Sequence, residues 1–237
     1  MEDVFGVGKV VEKLADPVVD LIKKVAGPAA EEVGLTMRDS VHVYRAKRAY
    51  HLAEKFRRFT AERGIDPKAV SLKLLLPILD GASIEEDEDL HTMWANLLAN
   101  AADPREKIPV LPAFLPVLRE LTPRDAQFLN VWYQDARQNG NSYSEDELTK
   151  LGAKVGLVPE ELIILPAQSR QPQAKPDLVI LHTILDTLKR NGLIGQTVYP
   201  HDLGASPVYN RLPLPVIYYI SNFGVEFIRA CLPPEAS

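Results

Sequence analysis

The chain carries a single cysteine, Cys231. A lone thiol excludes an internal disulfide framework and any zinc site assembled from several cysteines. No run approaches the roughly 20 apolar residues that span a bilayer. The opening MEDVFGVGKVVEK lacks the order of a secretion signal, so a cytoplasmic protein is the expectation. Charge of one sign is lacking too. The 27 Lys+Arg stand against 32 Asp+Glu, a net −5 over 237 residues, too weak a field to argue for nucleic acid.

Reactive patterns are equally scarce. No Gly-x-Ser-x-Gly elbow is present. Gly6-Val-Gly8-Lys9 lacks the remainder of a phosphate loop and the strand that should precede it. Glu88 and His91 have the i, i+3 spacing of a di-metal helix pair, yet none of the other histidines (His42, His51, His182, His201) supplies a second copy. Favourable interaction with the helix dipole accounts for the acidic start instead. Cys231, between Ile228 and Leu232, reads as a small core residue. The sequence therefore offers no catalytic residue, no metal ligand set and no cofactor site.

What is present is 46% hydrophobic residues and 19 prolines, about 8% against an average of about 5%. The combination predicts many short helices with sharp ends. Residues 1–64 form a first zone with 12 Lys+Arg against 10 Asp+Glu, net +2. In it Val4, Val7, Val11, Leu14, Val18, Leu21 and Val25 alternate spacings of three and four, the seam of paired helices, interrupted at Asp16-Pro17. A second helix, about Met37–Arg63, puts Ala49, Leu52, Phe56 and Phe59 on one side and stops at Gly64.

Residues 65–121, with 5 Lys+Arg against 10 Asp+Glu, form a helical second zone of net −5. The pattern predicts a helix over Val70–Asp80 closed by Gly81 as a left-handed cap. A capping box at Ser83–Glu86 then opens a helix carrying Leu90, Trp94, Leu97, Leu98 and Ala101, ended by Asp103-Pro104. Asn96 and Asn100, one turn apart, read as packing or hydrogen-bonding residues. Pro109, Pro112 and Pro116 frame a linker into Phe114–Leu121.

In residues 122–237 (10 Lys+Arg, 12 Asp+Glu, net −2), Thr122-Pro-Arg-Asp125 and Ser144-Glu-Asp-Glu147 are capping signals. The first helix buries Phe128, Leu129, Val131 and Trp132. After an irregular excursion over 155–176, a third helix spans Asp177–Asn191 and ends at Gly192. Strands at Leu193–Tyr199 and Val216–Ser221 and a helix at Phe223–Cys231 follow. Helix, helix, helix, strand, strand, helix is a winged-helix order with a two-stranded wing. The fold class is thus mainly α: amphipathic and basic helices, a helical core, then a small α+β domain.

The segment SLKLLLPILDGASIEEDEDLHTMWANLLANAADP (Ser71–Pro104) followed by LPAFLPVLRELTPRDAQFL (Leu111–Leu129) resembles the Abi-alpha family of bacterial abortive-infection proteins. The proline-bearing Leu74–Leu79, the acidic helix start, Trp94–Asn100 and Leu121-Thr-Pro carry the likeness. The N-terminal helices and Tyr218–Pro234 also look like members of that family. The resemblance implies a part in defence against phage and brings no catalytic motif.

Partners must be read from surfaces. Between Arg38 and Arg63 eight cations (Arg38, Arg45, Lys47, Arg48, Lys55, Arg57, Arg58, Arg63) meet only Asp39, Glu54 and Glu62, with Tyr44, Tyr50, Phe56 and Phe59 interleaved. Nucleic acid or anionic lipid would suit such a run. So would the acidic stretch Asp80–Asp89, where Asp80, Glu85, Glu86, Asp87, Glu88 and Asp89 stand with no cation, within one chain or across a subunit interface; a solvated face or pairing within the chain is the favoured reading. The Asp177–Asn191 helix has Lys189 and Arg190 only at its end, so direct DNA readout is disfavoured and a protein-interaction module is expected. A membrane is disfavoured as well, because the polar side of the Val4–Val25 stripe is nearly neutral. The expectation is a non-enzymatic homo-oligomer with protein contacts. A DNA-binding regulator of a defence operon and a membrane-perturbing toxin stand beside it as alternatives.

Overall fold

The computed structural model describes residues 43–105, 108–157, 176–198 and 216–234, together with Pro17, Asp20, Leu21 and Lys24. Among them are eight helices: α1 (Val43–Glu62), α2 (Leu72–Ile84), α3 (Glu88–Ala102), α4 (Phe114–Glu120), α5 (Pro123–Asn139), α6 (Glu145–Lys154), α7 (Pro176–Arg190) and α8 (Asn222–Cys231). Two strands, β1 (Ile194–Val198) and β2 (Val216–Ile220), pair antiparallel with Ile194 opposite Ile220 and Val198 opposite Val216. The protein is mainly helical with a small sheet near its C-terminal end, as its composition and periodicity predict.

The chain divides into two compact units. One takes Met1–Glu120 with Glu226–Ser237, the other Leu121–Val225. Residues 226–237, which the sequence groups with the C-terminal part, thus belong with the first unit. In that unit α1 lies on α2 and α3, and α2 also meets α4. The core is filled by Leu52 and Phe56 of α1, Leu75, Ile78 and Leu79 of α2, Trp94, Leu97 and Leu98 of α3, and Phe114 of α4. Phe227 of α8 meets Phe114 edge-on, centroids 5.6 Å apart at 77°.

Helix α2 differs from expectation in a way that packing explains. Gly81 does not end it; the helix continues to Ile84 and carries Pro77 inside. Pro77 lacks the N–H that would bond back to Lys73, and Lys73 is exposed to water. A Cβ on Gly81 would stand 2.6 Å from Trp94 Cζ2, so the absent side chain makes room for the indole. Ser83 does not open the next helix either. Its hydroxyl donates to the Asp80 carbonyl at 2.7 Å, inside α2. The cap of α3 is Asp87, whose Oδ1 accepts from Asp89 N at 3.0 Å and Leu90 N at 2.9 Å.

The second unit follows its capping signals closely. Thr122 and Asp125 form a capping box at α5, and Ser144 and Glu147 form another at α6. On α5 Tyr133 is buried with Phe128, Leu129 and Trp132, whereas Val131 is half-exposed. Helix α7 packs on α5, α6 and β1 through Leu181, Ile184, Leu185 and Leu188. Tyr143, between α5 and α6, bridges Tyr218 of β2 with backbone bonds of 2.9 and 2.7 Å. The excursion at 158–175 and the loop at 199–215 lie outside the described residues.

Gly224 of α8 is packed as tightly as Gly81, since a Cβ there would lie 2.0 Å from the Leu193 carbonyl oxygen. Trp94 can shift its ring; a backbone carbonyl in a paired segment cannot. Gly81→Ala should therefore lower stability by about 1–3 kcal/mol, and Gly224→Ala by more. Thermal denaturation of the two variants checks that order, and equal melting temperatures would contradict it.

Candidate functional site

The charged interface between α1 and the α2–α3 corner is the most elaborate polar arrangement in the first unit. Arg45, Arg48 and Lys55 share a side of α1 because their spacings of three and seven keep them near one line on a helix. Arg45 reaches Asp80 and donates from Nε to Ser83 Oγ at 3.0 Å. Arg119 of α4 approaches the other oxygen of Asp80 at 2.8 Å. Arg48, only 8% exposed, pairs with Glu88 and reaches the Asp87 carbonyl at 3.5 Å. Lys55 Nζ donates to Glu88 Oε2 and to Thr92 Oγ1, each at 2.8 Å.

Two cations on one carboxylate hold it ionised. Hydrogen bonds from Lys55 and then Arg48 pull the Glu88 pKa down to about 2. Beneath them His91 is fully buried, its Nε2 3.1 Å from the Arg48 carbonyl. A carbonyl only accepts, so Nε2 carries the hydrogen, while Nδ1 is buried with no partner among the described residues. Burial first, then the charges of Arg48 and Lys55, lower the His91 pKa to about 4. Glu88 and His91 thus face different neighbours and do not form a ligand pair. Among the described residues no group of three or more His, Cys, Asp or Glu is placed to hold a metal.

Other residues of the run look elsewhere. Arg57 pairs with Glu54, and Arg58 lies over the Phe59 ring with Glu62 within 4.0 Å. Lys47 is exposed. Of the acidic stretch, Glu85 accepts from the Asp87 backbone N–H at 3.0 Å, and Glu86 and Asp89 are exposed. Val4, Val7, Val11, Leu14, Val18 and Val25 fall outside the described residues, as does Gly6–Lys9. Leu21 is described, helical and only 2% exposed.

Asn96 and Asn100 have a role that their sequence neighbours do not reveal. Asn96 Nδ2 donates to the Cys231 carbonyl, and Asn100 Nδ2 to the carbonyls of Ala230 and Leu232, all at 2.9 Å. These are carbonyls that a helix end leaves without internal partners. Arg63 Nε adds a bond of 2.5 Å to the Pro234 carbonyl. Cys231 itself is 3% exposed, and burial pushes its thiol well above the ordinary range, so no thiolate is held there.

In the second unit Asp135 accepts from Tyr143 Oη at 2.8 Å, Asn139 at 3.1 Å and Lys154 at 3.3 Å. The Asn139 and Tyr143 bonds lead in lowering its pKa. A cleft of about 350 Å³ lies between α6, α7 and the sheet, lined by Glu145, His182, Asp186, Lys189, Gln196 and Tyr218. His182 Nε2 is 3.0 Å from Glu145. Both signs of charge stand in this cleft, a composition suited to polar contacts rather than to a polyanion.

Acid should loosen the first unit in two steps. His91 titrates near 6.5 when unfolded and about 4 when folded, so the unfolded chain takes up the proton first and stability falls between those values. The loss at His91 should be on the order of 3 kcal/mol. Glu88 continues the fall from about 4.5 to about 2. Melting temperatures across pH 4–7 should drop for the native chain and stay flatter in His91→Gln, which keeps a donor for the Arg48 carbonyl. At the other end of α3, Asn100→Asp sets a carboxylate against two carbonyl oxygens and should cost about 3 kcal/mol. Limited proteolysis should then cut the C-terminal segment at protease concentrations that the native chain withstands.

No curated protein and no solved structure matches the chain significantly. A sequence model of the family described as abortive infection alpha matches residues 45–231, from Arg45 in α1 to Cys231 at the end of α8. That span includes the α1–α3 interface, both asparagines and the Ala230 and Cys231 carbonyls they hold, with Leu232 just beyond it. Coverage of most of the chain settles the family: the protein belongs to the abortive infection alpha family, and so to defence against phage by abortive infection.

Proposed function

We propose that this chain is a non-enzymatic component of abortive infection that works by self-association and protein contacts. The convergence of Arg48 and Lys55 on Glu88 carries the reading. Cations that could neutralise phosphates are committed to a carboxylate of the same chain, and releasing them would break both ion pairs of Glu88 and leave the largely buried Arg48 without its carboxylate. The groups with most reactive potential are similarly occupied: Cys231 is a buried thiol and His91 a buried neutral imidazole. The stripe from Val4 to Val25 supplies the self-association.

The second unit serves as the protein-binding module. Support for a winged-helix reading comes from the order of its described elements, three helices then two strands, with Tyr143 bridging the last strand between the first two helices. Helix α7 exposes Val179, Thr183, Asp186 and Lys189, an apolar and mixed-charge face. The same order favours a second reading, a DNA-binding regulator of a defence operon.

Val11→Asp with Val18→Asp should abolish assemblies larger than a dimer in light scattering, and with them protection in a phage plating assay. A chain that is monomeric at micromolar concentration and still protects after the substitutions would overturn the proposal. Nanomolar binding to its own promoter with a steep loss on adding salt would favour the regulator instead.

A further inference from the structure

The two edges of the small sheet are treated differently. Tyr218 directs both its N–H and its C=O toward Tyr143. In an antiparallel ladder the direction alternates, so Gly195 and Thr197 exchange bonds with Tyr219 and Ile217, while Ile194, Gln196 and Val198 point away from β2. The same alternation leaves Ile220 facing outward on β2, where the Asn141 side chain acts as a further piece of strand. Its Oδ1 accepts from Ile220 N at 2.8 Å, and its Nδ2 donates to Ile220 O at 2.7 Å. The outer edge of β2 is thus closed by Asn141 and Tyr143.

Among the described residues the outer edge of β1 has no such cover. Among the described residues no backbone group bonds to Ile194, Gln196 or Val198 on that side. Gln196 and Thr197 are exposed, and Val198 is 46% exposed. Open edges are ordinarily protected by lysine, proline or an inward charge. The strand Ile194-Gly-Gln-Thr-Val198 contains none of these.

We propose that the β1 edge pairs with the β1 edge of a second copy of this chain, antiparallel about a two-fold axis through Gln196. This register sets Gln196 opposite Gln196 and Ile194 opposite Val198 on either side. The strand fits itself: each exposed Val198 can extend over the edge at the partner's Ile194, which its own unit already buries, and the central amides can bond to each other. No like charges meet along the strand. The neighbouring cleft holds both Asp186 and Lys189, so an identical surface meets no field of one sign. An isologous contact of this kind closes as a dimer. It is small, and about 10–100 µM is the affinity range expected of it.

The pairing stands apart from the Val4–Val25 stripe and can be separated from it. Gln196→Pro removes an N–H that points outward and leaves the β1–β2 ladder intact, so it should abolish the dimer and keep the native circular dichroism. Thr197→Pro removes an N–H used inside the hairpin and should lower the melting temperature. Both are made in a Val11→Asp background and followed by sedimentation velocity up to about 100 µM. In the proposed register the two Gln196 Cα atoms lie about 5.5 Å apart, within the disulfide range of about 4.4–6.8 Å. Under mild oxidation Gln196→Cys should form a covalent dimer and Val198→Cys should not, with buried Cys231 a bystander. A chain that stays monomeric in the Val11→Asp background, a Gln196→Pro variant that associates unchanged, or equal cross-linking at the two cysteines would each overturn the pairing. Loss of association in Val11→Asp alone, with Gln196→Cys unlinked, would leave the stripe as the sole means of assembly and refute the edge.

Discussion

Helix α3 is buried around nearly its whole circumference, and it nevertheless carries His91, Asn96 and Asn100 in its buried surface. A polar group removed from water must be met by a partner or it costs about 1–3 kcal/mol. Neighbouring elements are therefore placed by chemistry as well as by volume. The backbone of α1 supplies a carbonyl to His91, and its side chains pair with Glu88. The last turn of α8 supplies carbonyls to the two asparagines. Trp94, on the same helix, requires a glycine beneath it in α2. Much of the first unit's architecture is the set of answers that α3 demands.

Local signals were legible at the caps of the second unit, whereas the same kind of signal at Ser83–Glu86 misled and the cap at Asp87 went unread. The capping boxes at Thr122 and Ser144 join groups three positions apart, and both were readable as words in the chain. The attraction between the α1 cations and the acidic stretch was also legible, because it depends on net charge in each segment. Which cation meets which carboxylate was not, since that requires the crossing geometry of the helices. Gly81 shows the limit well. A glycine after an apolar run looks like a helix terminator, and only the indole arriving from α3 reveals that the helix passes through it. Asn96 and Asn100 lie 130 or more positions from the carbonyls they hold, and no periodicity announces such a pairing. The bridge at Tyr143 was missed for a related reason: a single strand residue leaves no alternating pattern.

The uneven charge along the chain acquires a different meaning in the folded state. Arg45, Arg48 and Lys55 of the basic zone meet Asp80 and Glu88 of the acidic one, and Glu88 alone receives two of these cations. What remains at the surface is mixed in sign, in the first unit and along α7 alike. A surface of that kind discriminates through shape and individual hydrogen bonds more than through long-range field. The family role in phage defence is consistent with such selectivity, because a component that attracted every polyanion in the cell would bind its own nucleic acids.

The placement of the last helix bears on how the molecule is made. The second unit is inserted, in sequence, between the two pieces of the first. A nascent chain emerges from its N-terminal side, and domains generally fold as units in that order. Here the second unit, 121–225, can close while the first still lacks Phe227 against Phe114 and carries two asparagines with empty amide donors. The first unit is finished only when the residues around 230 leave the ribosome. A product that stops short of residue 232 keeps those buried donors unmet and its aromatic core incomplete, so the asparagine clasp makes synthesis through that residue a condition for a stable first unit.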